Sequence, residues 1–428
     1  MQIFRYPDRS QWPELLKRPV FDSASLEEKI RPILEDVRRN GDKALRKYTQ
    51  LFDKADIKNF AVSEMESYFA LNQVSAALFD AIKVAAANIT HFHRRQIVLP
   101  EKIETMPGVV CWRKSVPIES VGLYIPGGTA PLFSTVLMLS IPALIAGCKK
   151  IVLCTPPAAD GNVHPAIITA ASYLGVNEVY KVGGVQAIAA MTFGTESIPR
   201  VHKIFGPGNQ YVTTAKQMVQ KFGVAIDMPA GPSEVAVYAD ETANARFIAA
   251  DLLSQAEHGA DSQVLFVTTE EKLIDEVLKQ VDEQLQLLPR RQFASAALEN
   301  SKIILVKDKE EAMSLLNKYA PEHLILASDD AAALADIVVN AGSVFIGHYS
   351  PESVGDYASG TNHTLPTNGY ANAYSGVSVD SFVKKITFQE LTLEGLRNIG
   401  TTVEVLAEAE GLTAHAEAVK VRTRQTET

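Results

Sequence analysis

The chain has 428 residues, and its 41 lysines and arginines against 50 aspartates and glutamates give a formal charge of −9. With 46% hydrophobic and 21% charged residues, it has the composition of a globular protein long enough for two or three domains, which excludes a disordered, collagenous or low-complexity scaffold. An acidic balance without a basic run offers no footprint for nucleic-acid phosphates, so no nucleic-acid partner is expected.

Met1 to Glu14 mixes charged and aromatic residues with no apolar stretch after a basic start, so no secretory signal is expected. From Leu26 to Phe52 the apolar Ile30, Ile33, Leu34, Val37, Leu45 and Tyr48 recur at helical spacing, predicting an amphipathic hairpin turned at Asn40-Gly41. A second helical stretch is expected from Glu64 to Phe92. A polar segment then leads to the β-branched run Val116 to Ile125. Ser120 to Cys148 carries no charged side chain and exceeds the ~20 residues a bilayer needs. Pro126, Gly127, Gly128, Pro131 and Pro142 nonetheless divide it into a strand end, a loop and a shorter buried helix, whose unpaired backbone lipid would not tolerate. It reads as core, with no membrane partner.

The middle of the chain changes rhythm. Ile151 to Thr155, Glu178 to Val182 and Val201 to Phe205 are short apolar runs, separated by helical patterns at Pro165 to Tyr173 and Ala187 to Phe193. Such alternation predicts βαβ units around a parallel sheet. Ligands of such sheets lie at the carboxyl ends of strands, which points to Gly183-Gly184-Val185-Gln186 and Gly206-Pro207-Gly208-Asn209-Gln210. After Asp227 come strands at Glu234 to Tyr238 and Gln263 to Thr268, helices at Arg246 to Ala256 and Leu273 to Leu287, and a third set from Ile303 to Val344. From Phe388 onward, Leu391, Leu393, Leu396, Ile399, Val403 and Leu406 predict helices interrupted at Gly411. No fixed repeat is visible, so a solenoid is not expected.

The chemistry-bearing residues are scattered. No GxGxxG turn is present; Gly206-Pro-Gly208 has the first two glycines without the third and fits a structural turn as well as a nucleotide loop. Gln255 and His258 share a helical face, which fits a metal pair or a polar helix end before Gly259. Asp356 and His415 could complete four N and O ligands, although spacing alone does not pair them. Glu322-His323 enters an apolar strand and could offer a carboxylate and an imidazole to one cleft, or be a solvated turn. Ser350 to His363, rich in small and polar residues, predicts a long functional loop. Cys111, Cys148 and Cys154 form no disulfide or CxxC pattern, which fits a reducing cytoplasm. Cys148 and Cys154 fall in apolar runs and are expected to be buried and inert, so a catalytic thiol is disfavoured.

Taken together, several blocks resemble the bacterial and plant histidinol dehydrogenases over nearly the whole chain. They are Gly122-Leu-Tyr-Ile-Pro-Gly-Gly128, Phe205-Gly-Pro-Gly-Asn209, Asp227-Met-Pro-Ala-Gly-Pro-Ser-Glu234, Asp251-Leu-Leu-Ser-Gln-Ala-Glu-His-Gly259, Tyr319-Ala-Pro-Glu-His-Leu324 and Gly355-Asp-Tyr-Ala-Ser-Gly-Thr-Asn-His363. The resemblance implies oxidation of L-histidinol to L-histidine through the aldehyde, with two NAD used in turn. It implies zinc on Gln255, His258, Asp356 and His415, leaving room for the substrate's nitrogens. His323 would take the hydroxyl proton and act again in the second oxidation, and Glu322 would activate water. Ser233, His363 and Glu410 match substrate contacts; Tyr124, Gln186 and Asn209 match NAD contacts. Glu410 and His415 would come from the partner subunit of a homodimer.

The implied fold is α/β: two domains with incomplete Rossmann-like parallel sheets, plus small helical N- and C-terminal extensions that swap between subunits. The expected division is 1–24 as N-terminal extension, 25–120 with 234–380 as first domain, 121–233 as second, and 381–428 as C-terminal extension. Two other classes stay open. One is a zinc and NAD alcohol dehydrogenase that stops at the aldehyde. The other is a non-redox amidohydrolase or small-ligand binder whose glycine turns are only structural.

Overall fold

The computed structural model describes residues 1–18, 23–127 and 131–424; Gly128 and 19–22 of the expected extension lie outside them. The apolar runs of the middle segment become a five-stranded parallel sheet in the order Glu178–Lys181, Lys150–Thr155, Ser120–Tyr124, Lys203–Phe205, Ala225–Ile226. Its three interior strands are almost wholly buried, as strands covered by helices on both faces must be. A second parallel sheet runs Gln2–Arg5, Lys302–Leu305, Gln263–Thr268, Glu234–Ala239, His323–Ala327, Ser343–Ile346. In the five-stranded sheet, and in the six-stranded sheet from Glu234–Ala239 onward, the chain starts on a central strand, moves outward to one side, and crosses back to the other. That reversal opens a crevice beside the central strand.

Helix Ser23–Phe52 is broken at Gly41 (φ 48°, ψ −131°). The glycine is required there by this backbone conformation, which L side chains rarely adopt, and beside it the Glu196 carboxylate accepts the Asp42 amide at 2.7 Å. Its apolar stripe, Leu26, Ile30, Leu34, Val37 and Leu45, packs into one core with Ile188, Met191 and Val219 of the five-stranded layer. The stretch expected as one helix from Glu64 is two, Glu64–Gln73 and Ala76–Arg94, bent by 107°. Ser75 explains the break: its side chain caps the second helix by accepting from the Leu78 amide. Ile82, Ala86 and Ile89 of that helix pack with Phe133–Ala146 on the other face of the same sheet. Residues 23–94 therefore share cores with 120–226, while Asn88 and His93 also meet Ala358 and Asn362 of the later segment.

The uncharged segment is a strand followed by the buried helix Phe133–Ala146. Among the described residues no single helix is long and apolar enough to cross a membrane. Two expectations change. Gln2–Arg5 is not part of a helical extension but the edge strand of the six-stranded sheet. Phe388 and Leu391 lie on the strand Val383–Leu391, not on a helix. That strand joins Val109–Pro117 and Lys102–Met106 in an antiparallel ribbon, where Phe388 stacks on its register partner Trp112 at 5.3 Å. Cross-strand aromatic pairing outweighs the helical spacing of the leucines. The helices Leu393–Ala409 and Thr413–Arg424 follow, separated at Gly411 (φ 73°) as expected.

Candidate active site

Strands Glu234–Ala239 and His323–Ala327 are parallel neighbours, so their first residues meet at the amino end of the six-stranded sheet. Helix Ala245–Ala256 runs back from the far end of the sheet and returns its last turn to the same place. This is how Gln255 and His258 reach Glu322 and His323. The expected loop at Ser350 to His363 contains a short helix, Glu352–Tyr357, which carries Asp356. Gly355 lets that helix approach, because a Cβ there would sit 2.6 Å from the Phe345 ring. Phe345 in turn stacks against the His323 imidazole at 5.9 Å.

Glu322 and His323 are not a solvated turn: they are 6% and 2% exposed. The Glu322 carboxylate accepts the Glu234 amide at 2.9 Å and the Gln255 Nε2 at 3.4 Å. His323 Nδ1 lies 3.1 Å from the Glu234 carbonyl oxygen, and its Nε2 lies 3.2 Å from Asp356 Oδ1. Glu352, which the sequence did not single out, places a second buried carboxylate 4.0 Å from His323 Nδ1. Burial opposes a charge on the His323 ring, but Glu322, Asp356 and Glu352 outweigh it and raise its proton affinity. Burial also raises the Glu322 carboxyl, with His323 opposing, and pushes Glu352 up to about 8. Asp356 is held below the ordinary carboxylate range: burial opposes this, and the hydrogen bond and charge of His323 prevail.

His363 Nδ1 lies 2.8 Å from the Asp356 carbonyl oxygen, and burial lowers its proton affinity. His258, Asp356, His323 and His363 are all within electrostatic reach of one another. Ser233 directly precedes the strand that holds this group together. Glu234 is the hub, although no local pattern singles it out. Its carboxylate receives Arg18 through Nε and Nη2 at 2.6 and 2.8 Å, and the guanidinium lies over the Tyr319 ring at 3.9 Å.

Gln255 is 1% exposed, and among the described residues its Oε1 has no hydrogen-bond partner although its Nε2 is used three times. A buried amide oxygen left over in this way is a ligand-seeking atom. With the Asp356 carboxylate and His258 imidazole, it makes a mixed N and O donor set of the kind zinc accepts. Among the described residues no three His, Cys, Asp or Glu side chains form a metal-holding group by themselves. The chain does not bring Glu410 and His415 to this cluster. Both are exposed on the C-terminal helices, which pack on each other and on the ribbon.

The residues expected at NAD gather elsewhere, at the carboxyl ends of the five-stranded sheet. Tyr124, Gln186 and Asn209 line one cavity of about 920 Å³. The Tyr124 hydroxyl accepts the Gly184 amide at 3.1 Å, while the Asn209 side chain caps helix Gln210–Val219 by accepting from the Tyr211 and Val212 amides. Gly206 (φ 123°) must be glycine, since a Cβ would meet the Tyr124 carbonyl. Asn209 also lines a smaller cavity of about 270 Å³ that reaches Ala230, Gly231 and Pro232, next to Ser233. Cys154 is fully buried and its thiol is pushed well above the ordinary range; burial raises Cys148 to about 11.

The model of the family described as histidinol dehydrogenase matches residues 16–423. The histidinol dehydrogenase of Bacteroides fragilis is 60% identical, with 99% of each chain covered. The chloroplastic enzyme of Arabidopsis thaliana is 52% identical, covering 98% of this chain and 90% of that one. The crystal structure of histidinol dehydrogenase from Elizabethkingia anophelis superposes with a TM-score of 0.98 at 56% identity, covering 100% of this chain and 99% of that chain. These similarities span the hub at Glu234, the Glu322-His323 pair and the glycine turns alike, and the chain belongs to the histidinol dehydrogenase family of oxidoreductases in histidine biosynthesis.

Proposed function

We propose that the chain oxidises L-histidinol to L-histidine through the aldehyde, using two NAD in turn. The observation that carries this reading is the buried Glu322-His323 pair beside the unpartnered Gln255 oxygen. His323 takes up the hydroxyl proton as hydride leaves the neighbouring carbon. The imidazolium so formed favours the ionised state of Glu322, which its charge opposes protonating. Glu322 is thus made a base when water must be activated to hydrate the aldehyde. Once that proton has passed to solvent, neutral His323 serves the second oxidation in the same way. Gln255, His258 and Asp356 would hold zinc, with His415 of the partner subunit as fourth ligand. Bound there, zinc would supply a Lewis-acidic anchor for substrate nitrogens and offset the Asp356 charge at His323.

Ser233, His363 and the partner's Glu410 would contact substrate, and Tyr124, Gln186 and Asn209 would contact NAD. Each sheet with its helices would be one Rossmann-like domain of a homodimer that exchanges its C-terminal helices. Exposed Val405, Leu406 and Leu412 on those helices, 60%, 61% and 44% accessible, support such an exchange. Three free cysteines fit a reducing cytoplasm. The test is to measure zinc per chain and count NADH formed per histidinol consumed. Two NADH and one zinc are expected; one NADH would mean that the reaction stops at the aldehyde.

A further inference from the structure

We propose that Asp53 selects NAD against its 2′-phosphorylated counterpart, its carboxylate accepting the hydroxyls of the adenosine ribose. This rests on the reading that the 920 Å³ cavity holds NAD. Many dinucleotide folds place a ribose-binding acid just after the second strand of the sheet. Here that strand, Lys150–Thr155, is followed by Pro156, Pro157 and Ala158, which have no side-chain acceptor. The next acid, Asp160, is outside the cavity lining and its carboxylate is occupied by Asn162 at 3.0 Å.

Asp53 takes the vacant role from a different element, the residue following helix Ser23–Phe52. It lines the cavity, and its Oδ2 is 3.5 Å from Gln186 Nε2. Among the described residues no cation is paired with it. The second observation is Gln186 itself: 1% exposed, in the same wall, with an Oε1 that has no partner among the described residues. A carboxylate and a spare amide oxygen side by side are an acceptor pair for a vicinal diol. The same pair repels a phosphate dianion, and among the described residues only Lys29, exposed on its helix, offers a cation to that cavity apart from His164, whose Nδ1 already accepts the Ala166 amide. Burial raises the Asp53 carboxyl to about 6, which leaves it ionised at pH 8.

The direction of the dinucleotide follows from the second cavity. Asn209 lines both spaces and faces Pro232 beside Ser233, so the nicotinamide belongs at that end. Asp53 lines only the first cavity, so it meets the adenosine half.

The test is calorimetric binding at pH 8 of NAD, NADP, 5′-AMP and nicotinamide mononucleotide to the full chain and to Asp53→Ala, Asp53→Asn and Gln186→Ala. We expect wild type to bind NAD at least about 100-fold tighter than NADP. Asp53→Ala should weaken NAD and 5′-AMP by about 10- to 100-fold, the span of a charge-assisted hydrogen bond, and leave nicotinamide mononucleotide unchanged. The NAD to NADP ratio should shrink in both Asp53 variants, with the isosteric Asn guarding against a folding artefact. An unchanged ratio in both variants, or a loss confined to nicotinamide mononucleotide, overturns the assignment of Asp53. If Gln186→Ala also leaves NAD binding intact, the cavity itself is misread; if only Gln186→Ala loses NAD, the cavity stands and Asp53 alone fails.

Discussion

Arg18→Met should destabilise the protein in a manner that identifies the charge it leaves behind. Arg18 meets both oxygens of Glu234 at 2.6 and 2.8 Å, and the two side chains are 13% and 3% exposed. Without the guanidinium, the carboxylate keeps one backbone donor, the Asn368 amide at 2.9 Å. Breaking a buried pair on one side costs about 3–5 kcal/mol, whereas removing both charges costs far less. Arg18→Met should therefore lower the thermal midpoint by several degrees, and Arg18→Met with Glu234→Gln should recover much of that loss. The pH dependence has a definite sign. Burial raises the Glu234 carboxyl above its ordinary value and Arg18 opposes the rise, so losing Arg18 raises it further. A carboxyl with a raised native value favours the native state when protonated. Its penalty is absent below the unfolded value, grows as pH rises between the two, and is complete above the native one. Scanning calorimetry should thus show a larger deficit at pH 8 than at pH 5. Equal deficits at both pH values, or strict additivity of the two substitutions, would refute the buried-charge account. Turnover should fall as well, because the Glu234 amide and carbonyl hold Glu322 and His323.

Gly206→Ala should abolish NAD binding or folding, because neither φ of 123° nor the Tyr124 carbonyl can yield; Gly175→Ala, at φ 75° with nothing within 4 Å, should cost only about 1–3 kcal/mol by thermal melting. Brief treatment with iodoacetamide at pH 8 should leave Cys148 and Cys154 unlabelled by mass spectrometry and turnover intact, since burial raises both thiols. Inactivation that tracks labelling of Cys154 would bring thiol chemistry back.

What the residues alone made legible follows range. The parallel sheets were readable because buried strands need unbroken apolar runs, as at Ile151 to Thr155. The Gly41 and Gly411 breaks were readable because each needs a positive φ. The ribbon was not, because Phe388 is fixed by Trp112, a partner 276 positions away in the chain. Gln2–Arg5 was missed for the same reason: only its pairing with Lys302–Leu305 makes it a strand. Of the site, the resemblance picked out Gln255, His258, Glu322, His323, Asp356 and His363, which the fold does bring together. Arg18, Glu234 and Glu352 carried no local signal, since each meets its partners only by burial against a distant segment, and Asp53 meets Gln186 only across 133 positions of chain.

On the proposed reading, the two sheets present opposite ends to their ligands, and this polarity sorts the ligands. Helices that connect parallel strands start at the carboxyl ends, so the cavity at Tyr124, Gln186 and Asn209 faces the N-termini of Gly184–Phe193 and Gln210–Val219. The positive end of the helix dipole favours a pyrophosphate there. The amino ends of the six-stranded sheet receive the reverse. Helix Ala245–Ala256 arrives with its C-terminus, whose partial charge is negative, and Glu322, Glu352 and Asp356 add carboxylates. Such a pole repels phosphate and attracts cations, whether a metal ion or the ammonium of an amino alcohol. On that reading an anionic cofactor and a cationic substrate do not compete for the same charges, and Asn209 lines both the larger cavity and the smaller one that reaches Pro232. Reversing either pole, by adding a carboxylate at the helix N-termini or removing those around His323, should loosen one ligand and leave the other in place.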